Sequence, residues 1–200
     1  MKKIALFTCL YLFCVGLKAQ DSEGFADYEL FWNKTDSEFR NPEKSPLPED
    51  KVANFDSVPR FDFNPDYRVI AEWIAVKKSK PFYFKTTGNK KQKYRKVGLA
   101  RFSLNGESCE LSVYKNLELS RLDGFDDYLF IPYGDASNGL ETYGGGRYLS
   151  FHAEPSDSLV LDFNQSFNPY CAYNDKYSCP IPPKENLLDI PILAGARSDH

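Results

Sequence analysis

Histidine is scarce in this 200-residue chain: only His152 and the terminal His200 occur. Two imidazoles so far apart supply no multi-histidine metal centre, and acid–base chemistry has a single internal imidazole to draw on. A basic surplus is missing too. The 25 Lys and Arg residues are outnumbered by 28 Asp and Glu, for a net charge of -3, which excludes the basic footprint of a nucleic-acid binder. No Gly-x-Ser-x-Gly elbow marks a hydrolase nucleophile. Beyond residue 20 no apolar run is long enough to span a bilayer, and there is no internal repeat. Also absent are connections of a dozen or more residues between the strand-like segments from Tyr67 to Gly134, so parallel crossovers have no room there.

What is present begins with a leader. Residues 1–20, MKKIALFTCLYLFCVGLKAQ, carry two early lysines, an apolar stretch and a small residue at Ala19, the layout of a secretory signal peptide with cleavage expected after Ala19 or Gln20. Cys9 and Cys14 do not fit a lipoprotein cleavage box. Export places residues 21–200, a single β-rich domain, in the periplasm or outside the cell, with no transmembrane segment once the leader is gone. Loss of Lys2, Lys3 and Lys18 leaves 22 basic against 28 acidic residues, a formal charge of -6. Three cysteines remain, Cys109, Cys171 and Cys179. In an oxidising compartment Cys171 and Cys179 are expected to form a local disulfide, stabilising by ~2–3 kcal/mol, with Cys109 left as a buried small hydrophobe. Their spacing is too wide for a zinc knuckle and no histidine lies near, so no metal is assigned.

The hydrophobic pattern predicts one helix and many strands. Phe25, Tyr28, Phe31, Trp32 and Phe39 recur at helical spacing behind the capping residues Asp21, Ser22 and Glu23, and Asn41 before Pro42 marks the stop. A proline-rich crossing follows, with a turn at NPDY. From Tyr67 onward, eight segments alternate with period two: YRVIAEWIAV, PFYFKTT, YRKVGLARFSL, CELSVYKN, YLFIPYG, RYLSFHA, SLVLDFN and DIPILAG. Short turns such as LNGES join them as hairpins. The expected fold is mainly β: an antiparallel β-sandwich or barrel-like sheet of about seven to eight strands with one N-terminal α-helix.

The last 70 residues hold the densest run of unusual motifs: FIP, a Gly-Asp turn, TYGGGRYL, LDFN, NPYCAYN, YSCPIPPKEN and a closing AG. In this order, with the FW of the helix and the SPL turn at Ser45–Leu47, they resemble the bacterial domain-of-unknown-function family numbered 1684 over most of the mature chain. The resemblance implies no substrate.

The residues themselves suggest a site. Consecutive glycines at Gly144, Gly145 and Gly146 permit positive φ and a concave nest of N–H groups, and Arg147 adds a planar partner for a carboxylate or phosphate. The same stretch also fits a bulged turn with Arg147 paired to an internal acid such as Asp135, Glu141 or Asp162. Lacking the lysine and the strand-to-helix setting of a phosphate loop, it is no nucleotide site. Asp162 and Asn164 flank Phe163 and share one face of a strand, and the Tyr-rich loop between Cys171 and Cys179 offers aromatic walls. These residues, with Asp135 and Tyr143, outline a pocket for a small polar or anionic molecule, with no cofactor. Two alternatives stand beside it. One is an envelope-directed hydrolase with acid–base groups among Asp135, Glu141, Asp162 and His152, and Ser150 or Cys109 as nucleophile with Glu154 or Asp162 as orienting acid. The other is a structural or interaction domain.

Overall fold

The computed structural model describes residues 4–198, with side chains from residue 22 on; Met1–Lys3 and the terminal His200 lie outside the described residues, as do the side chains around the expected cleavage site. Helix α1 runs Ile4–Arg40 and is followed by one turn of helix, α2, at Glu49–Val52. The stop before Pro42 is where the sequence places it. The start is not: no proline interrupts residues 4–40, and the helix passes through Asp21–Glu23, which therefore do not cap it.

Seven strands follow: β1 Arg68–Ala75, β2 Phe82–Tyr83, β3 Lys93–Leu104, β4 Glu107–Asn116, β5 Tyr128–Tyr133, β6 Arg147–His152 and β7 Ser158–Asp162. They form one antiparallel sheet in the order β6-β5-β4-β3-β1-β7, with short β2 beside β3. The sheet curls into a half-barrel, so the barrel-like form is the one realised. The tightest hairpin, β3–β4, turns at Asn105-Gly106 with φ of 53° and 82°, the positive pair that a type I′ turn requires. A bulge between Lys96 and Gly98 lets the Trp73 ring lie on the Gly98 backbone, where an added Cβ would fall 2.1 Å from the indole.

Alternation sorts the core. Leu111, Val113, Ile131, Leu149, Leu159 and Leu161 point to the concave side and build the main cluster. Tyr114, Phe130 and Tyr148 point the other way, where Phe84, Tyr94 and Cys179 cover them. The third cluster is the seat of α1, with Tyr28, Trp32 and Phe39 against Val58 and Ala196. Trp32 also donates its indole N–H to the Asn164 carbonyl at 2.9 Å, which sets the helix against the turn after β7.

The eighth expected strand is not one. DIPILAG bends at Asp189–Ile190 and again at Ala194–Gly195, where Gly195 has φ 75°, and carbonyls of this C-terminal stretch meet a side chain instead of a strand. Those of Ile192, Ala194 and Ala196 are all taken by the Arg147 guanidinium, and the Ile192 N–H goes to Asp135. One side chain thus does what a neighbouring strand does for a sheet member, taking carbonyls at period-two spacing.

Candidate functional site

The glycine-arginine motif lies at the start of β6. Gly146 has φ 82°, and a Cβ there would come within 2.6 Å of the Tyr133 carbonyl and 2.7 Å of Pro182. At Gly145 the Tyr143 ring occupies the space, 2.4 Å from an added Cβ, whereas at Gly144 the nearest atom stands 3.7 Å off. Arg147 is fully buried. It donates to Asp135 Oδ2 at 2.9 Å and to the three carbonyls of the C-terminal segment, with its guanidinium 5.6 Å over the Tyr133 ring. Of the Arg147 nitrogens Nε alone is buried without a partner among the described residues, and Asp135 accepts in addition from Ser137 N at 2.9 Å, from the Ser137 hydroxyl and from Ile192 N at 3.1 Å. The expected anion nest is therefore corrected: Arg147 and Asp135 face the interior and hold the chain end, because a buried guanidinium satisfies only acceptors fixed around it.

Asn164 is corrected as well. The strand stops at Asp162, whose carboxylate accepts from Asn164 N at 3.0 Å and caps a single helical turn at Phe163–Gln165, so the two polar side chains do not share a strand face. Asn164 is fully buried and bonds reciprocally to the backbone of Asn64, at 2.9 and 3.0 Å. Cys171 and Cys179 are not joined: both are free, as is buried Cys109, and the Cys171 N–H donates to Cys179 Sγ at 3.3 Å. Burial pushes the Cys179 thiol up to about 11. Tyr143 lines a groove with Asn168, Tyr173 and Arg197, away from Asp162.

What the structure does bring together lies at the open seam of the half-barrel. β6 and β7 are consecutive, joined by residues 153–157, yet they do not pair. A bridge between Tyr148 and Phe167, at 2.9 and 3.0 Å, closes one end of the gap and the connection closes the other. Tyr148 turns both backbone groups away from β5, so alternation turns those of Ser150 and His152 into the gap as well. Opposite, Asp157 bonds Trp73 of β1, which leaves Ser158 and Val160 facing the same opening. The result is a cavity of about 360 Å³ whose polar lining includes Asp27, Arg68, Ser150, His152, Glu154 and Asp162.

Arg68 is its centre. The side chain is 14% exposed, and its nearest anions, Asp27 Oδ2 at 3.6 Å and Asp162 Oδ2 at 3.9 Å, are beyond hydrogen-bond range. Its Nε is buried with no partner. The chain passes close to α1 because Gly24 has no Cβ; one placed there would stand 2.8 Å from Arg68 Cδ. Asp162 is pushed above the ordinary carboxyl range by burial, which the bonds from Asn164 and Gln165 and the charge of Arg68 only partly offset. His152 is turned toward the rim, with Nδ1 2.7 Å from Asp127 Oδ1, and that bond draws the Asp127 carboxyl down. A second cavity of about 220 Å³ adjoins at Ser150, walled by Phe31, Trp32, Phe39, Tyr128, Phe167 and Tyr170 among others.

Of the residues expected at a ligand, then, Asp162 alone reaches this cavity, joined by Ser150, His152 and Glu154 from the acid–base set; Glu141 and Asp135 do not line it. Sequence reasoning missed Asp27 and Arg68. Gly24 was the available signal, since a glycine inside an amphipathic helix costs about 1 kcal/mol and marks a close approach. Among the described residues no three His, Cys, Asp or Glu side chains are grouped to hold a metal ion, and no helix is long and apolar enough to cross a membrane.

The fold and cavity define a class: a half-barrel of seven antiparallel strands, clasped by one N-terminal helix and open along one seam. Within that class the chain belongs to the family described as Protein of unknown function (DUF1684), whose model matches residues 53–197. It is also similar to the solution structure of an uncharacterized protein from gene locus rrnAC0354 of Haloarcula marismortui, with 32% identity and a TM-score of 0.72 over 91% of this chain and 97% of that one. A comparison with curated proteins gave no match.

Proposed function

We propose that this protein binds a small polar molecule through an anionic group, in the seam cavity between β6 and β7, with Arg68 as the anion's partner. One observation carries the reading: the Nε of a largely buried guanidinium at a cavity has no hydrogen-bond partner among the described residues, and the nearest carboxylates stand 3.6 and 3.9 Å from the group. The same side chain lines the cavity, where its terminal N–H groups can meet a carboxylate or phosphate oxygen in the planar geometry a guanidinium offers. The edge groups of Ser150 and Val160 add donors and acceptors at fixed positions. His152 and Ser150 do not favour hydrolysis over binding: the imidazole is directed to Asp127, and no bond joins it to Ser150 among the described residues.

On the leader alone we place the mature protein in the periplasm or outside the cell. Cleavage after Ala19 or Gln20 leaves the portion of α1 that bears Gly24 and Asp27. The binding reading is tested by titrating the protein with acetate, phosphate and neutral acetamide while following thermal unfolding. Saturable stabilisation by an anion, about 1.4 kcal/mol at ten times its Kd, is expected, with none from acetamide and none in Arg68→Gln. Equal stabilisation of the variant and the parent would sink the proposal.

A further inference from the structure

Building on the anion reading above, we infer that the ligand is a free amino-acid zwitterion with an aromatic side chain, its carboxylate on Arg68, its ammonium between Asp27 and Asp162, and its ring in the adjoining aromatic cavity. The charges around the cavity disfavour simpler ligands. A plain anion placed on Arg68 brings another negative charge beside Asp27, Asp162 and Glu154, which line the same space. A plain cation would be held by those carboxylates but would leave the Arg68 guanidinium without an anion in hydrogen-bond range. A molecule with both charges a few ångströms apart answers both, since the carboxylates stand 3.6 and 3.9 Å from the guanidinium with neither hydrogen-bonded to it. The unpaired strand edge at Ser150 supplies the backbone N–H and C=O that a carboxylate and an ammonium each need beyond their ionic partner.

The ring is placed by helix α1. Asp27 and Phe31 are four residues apart and so lie on one helix face, one at the polar cavity and the other at the aromatic one. Their levels differ by ~6 Å along the axis, which matches the reach of an aromatic side chain from its own α-carbon. Ser150 lines both cavities, so the two adjoin at that residue, where the ligand's Cβ would pass. The far cavity is walled by Trp32, Tyr128 and Phe167, which present edges and faces for ring packing.

The test uses the full chain and four probes in isothermal titration: L-phenylalanine, 3-phenylpropionate, which lacks the ammonium, 2-phenylethylamine, which lacks the carboxylate, and glycine, which lacks the ring. L-phenylalanine is expected to bind at least ten-fold more tightly than each of the others. Asp162→Asn is expected to weaken L-phenylalanine by ten-fold or more while 3-phenylpropionate binds at least as tightly as before. If 3-phenylpropionate binds as tightly as L-phenylalanine, the zwitterion is refuted and the anion reading survives. If glycine matches L-phenylalanine, the ring's placement is refuted. If no probe binds and acetate and phosphate also fail, the anion reading itself falls.

Discussion

Replacing Arg147 by methionine removes a guanidinium that holds four acceptors at once. Asp135, fully buried, loses its cation, and the carbonyls of Ile192, Ala194 and Ala196 lose their donors. Breaking a buried ion pair by deleting one partner costs about 3–5 kcal/mol. Three orphaned carbonyls would add about 1 kcal/mol or more apiece, but the C-terminal segment can move toward water and recover part of this. The expected loss is therefore about 4 kcal/mol, equivalent to a fall of roughly 8–16 °C in Tm for a chain of this size. Urea unfolding followed by tryptophan fluorescence measures it. In Arg147→Met with Asp135→Asn the stray charge is gone as well, so the double variant should be less destabilised than the sum of the singles by about 1–3 kcal/mol. Stability of Arg147→Met within about 0.5 kcal/mol of the parent, the range of an ordinary surface change, would refute the architectural role.

The glycine run should separate by position: Gly144→Ala is expected within about 0.5 kcal/mol of the parent, while Gly146→Ala, with φ 82° and the Tyr133 carbonyl in its way, should cost about 2–4 kcal/mol. Thermal unfolding of both variants checks this, and equal effects would contradict the packing. Gly24→Ala should bring none of the roughly 1 kcal/mol that alanine normally adds to a helix, because its Cβ meets Arg68, and anion binding should weaken with it. For Asp162 the raised pKa means that the neutral carboxyl suits the fold: its contribution is complete below the ordinary 3.8 and is lost as pH rises through the raised value. Asp162→Asn should accordingly gain on the parent between pH 3 and 7, and a gap that stays constant over that range would contradict the burial argument. N-terminal sequencing of protein recovered from outside the cytoplasm should begin at Gln20 or Asp21; an intact Met1 would contradict the leader.

Much of the fold was legible because it rests on local rules. The alternation in RYLSFH sorts Leu149 to the core and Tyr148 to the opposite cluster, and Asn105-Gly106 carries its turn type in its two residues. DIPILAG shows the limit. It alternates like a strand, yet it bends, and what fills its hydrogen bonds is a side chain 45 residues or more away, and no local pattern records that. The same holds for LDFN, where Asp162 found Asn164 N two residues on and ended the strand as a cap.

By itself, then, the sequence determined an acidic β-rich chain of antiparallel strands, its helix stop before Pro42 and a signature that sets three glycines beside an arginine. It could not show which way Arg147 points. A guanidinium beside three glycines reads alike whether it meets a ligand or its own chain, and the choice depends on acceptors brought from residues 192–196 by the fold. The cavity is likewise a product of tertiary structure. It exists because two strands joined by a short connection fail to pair, and because Gly24, Asp27 and Arg68, separate in sequence from the signature, meet Asp162 beside the seam, Arg68 as its register partner on β1.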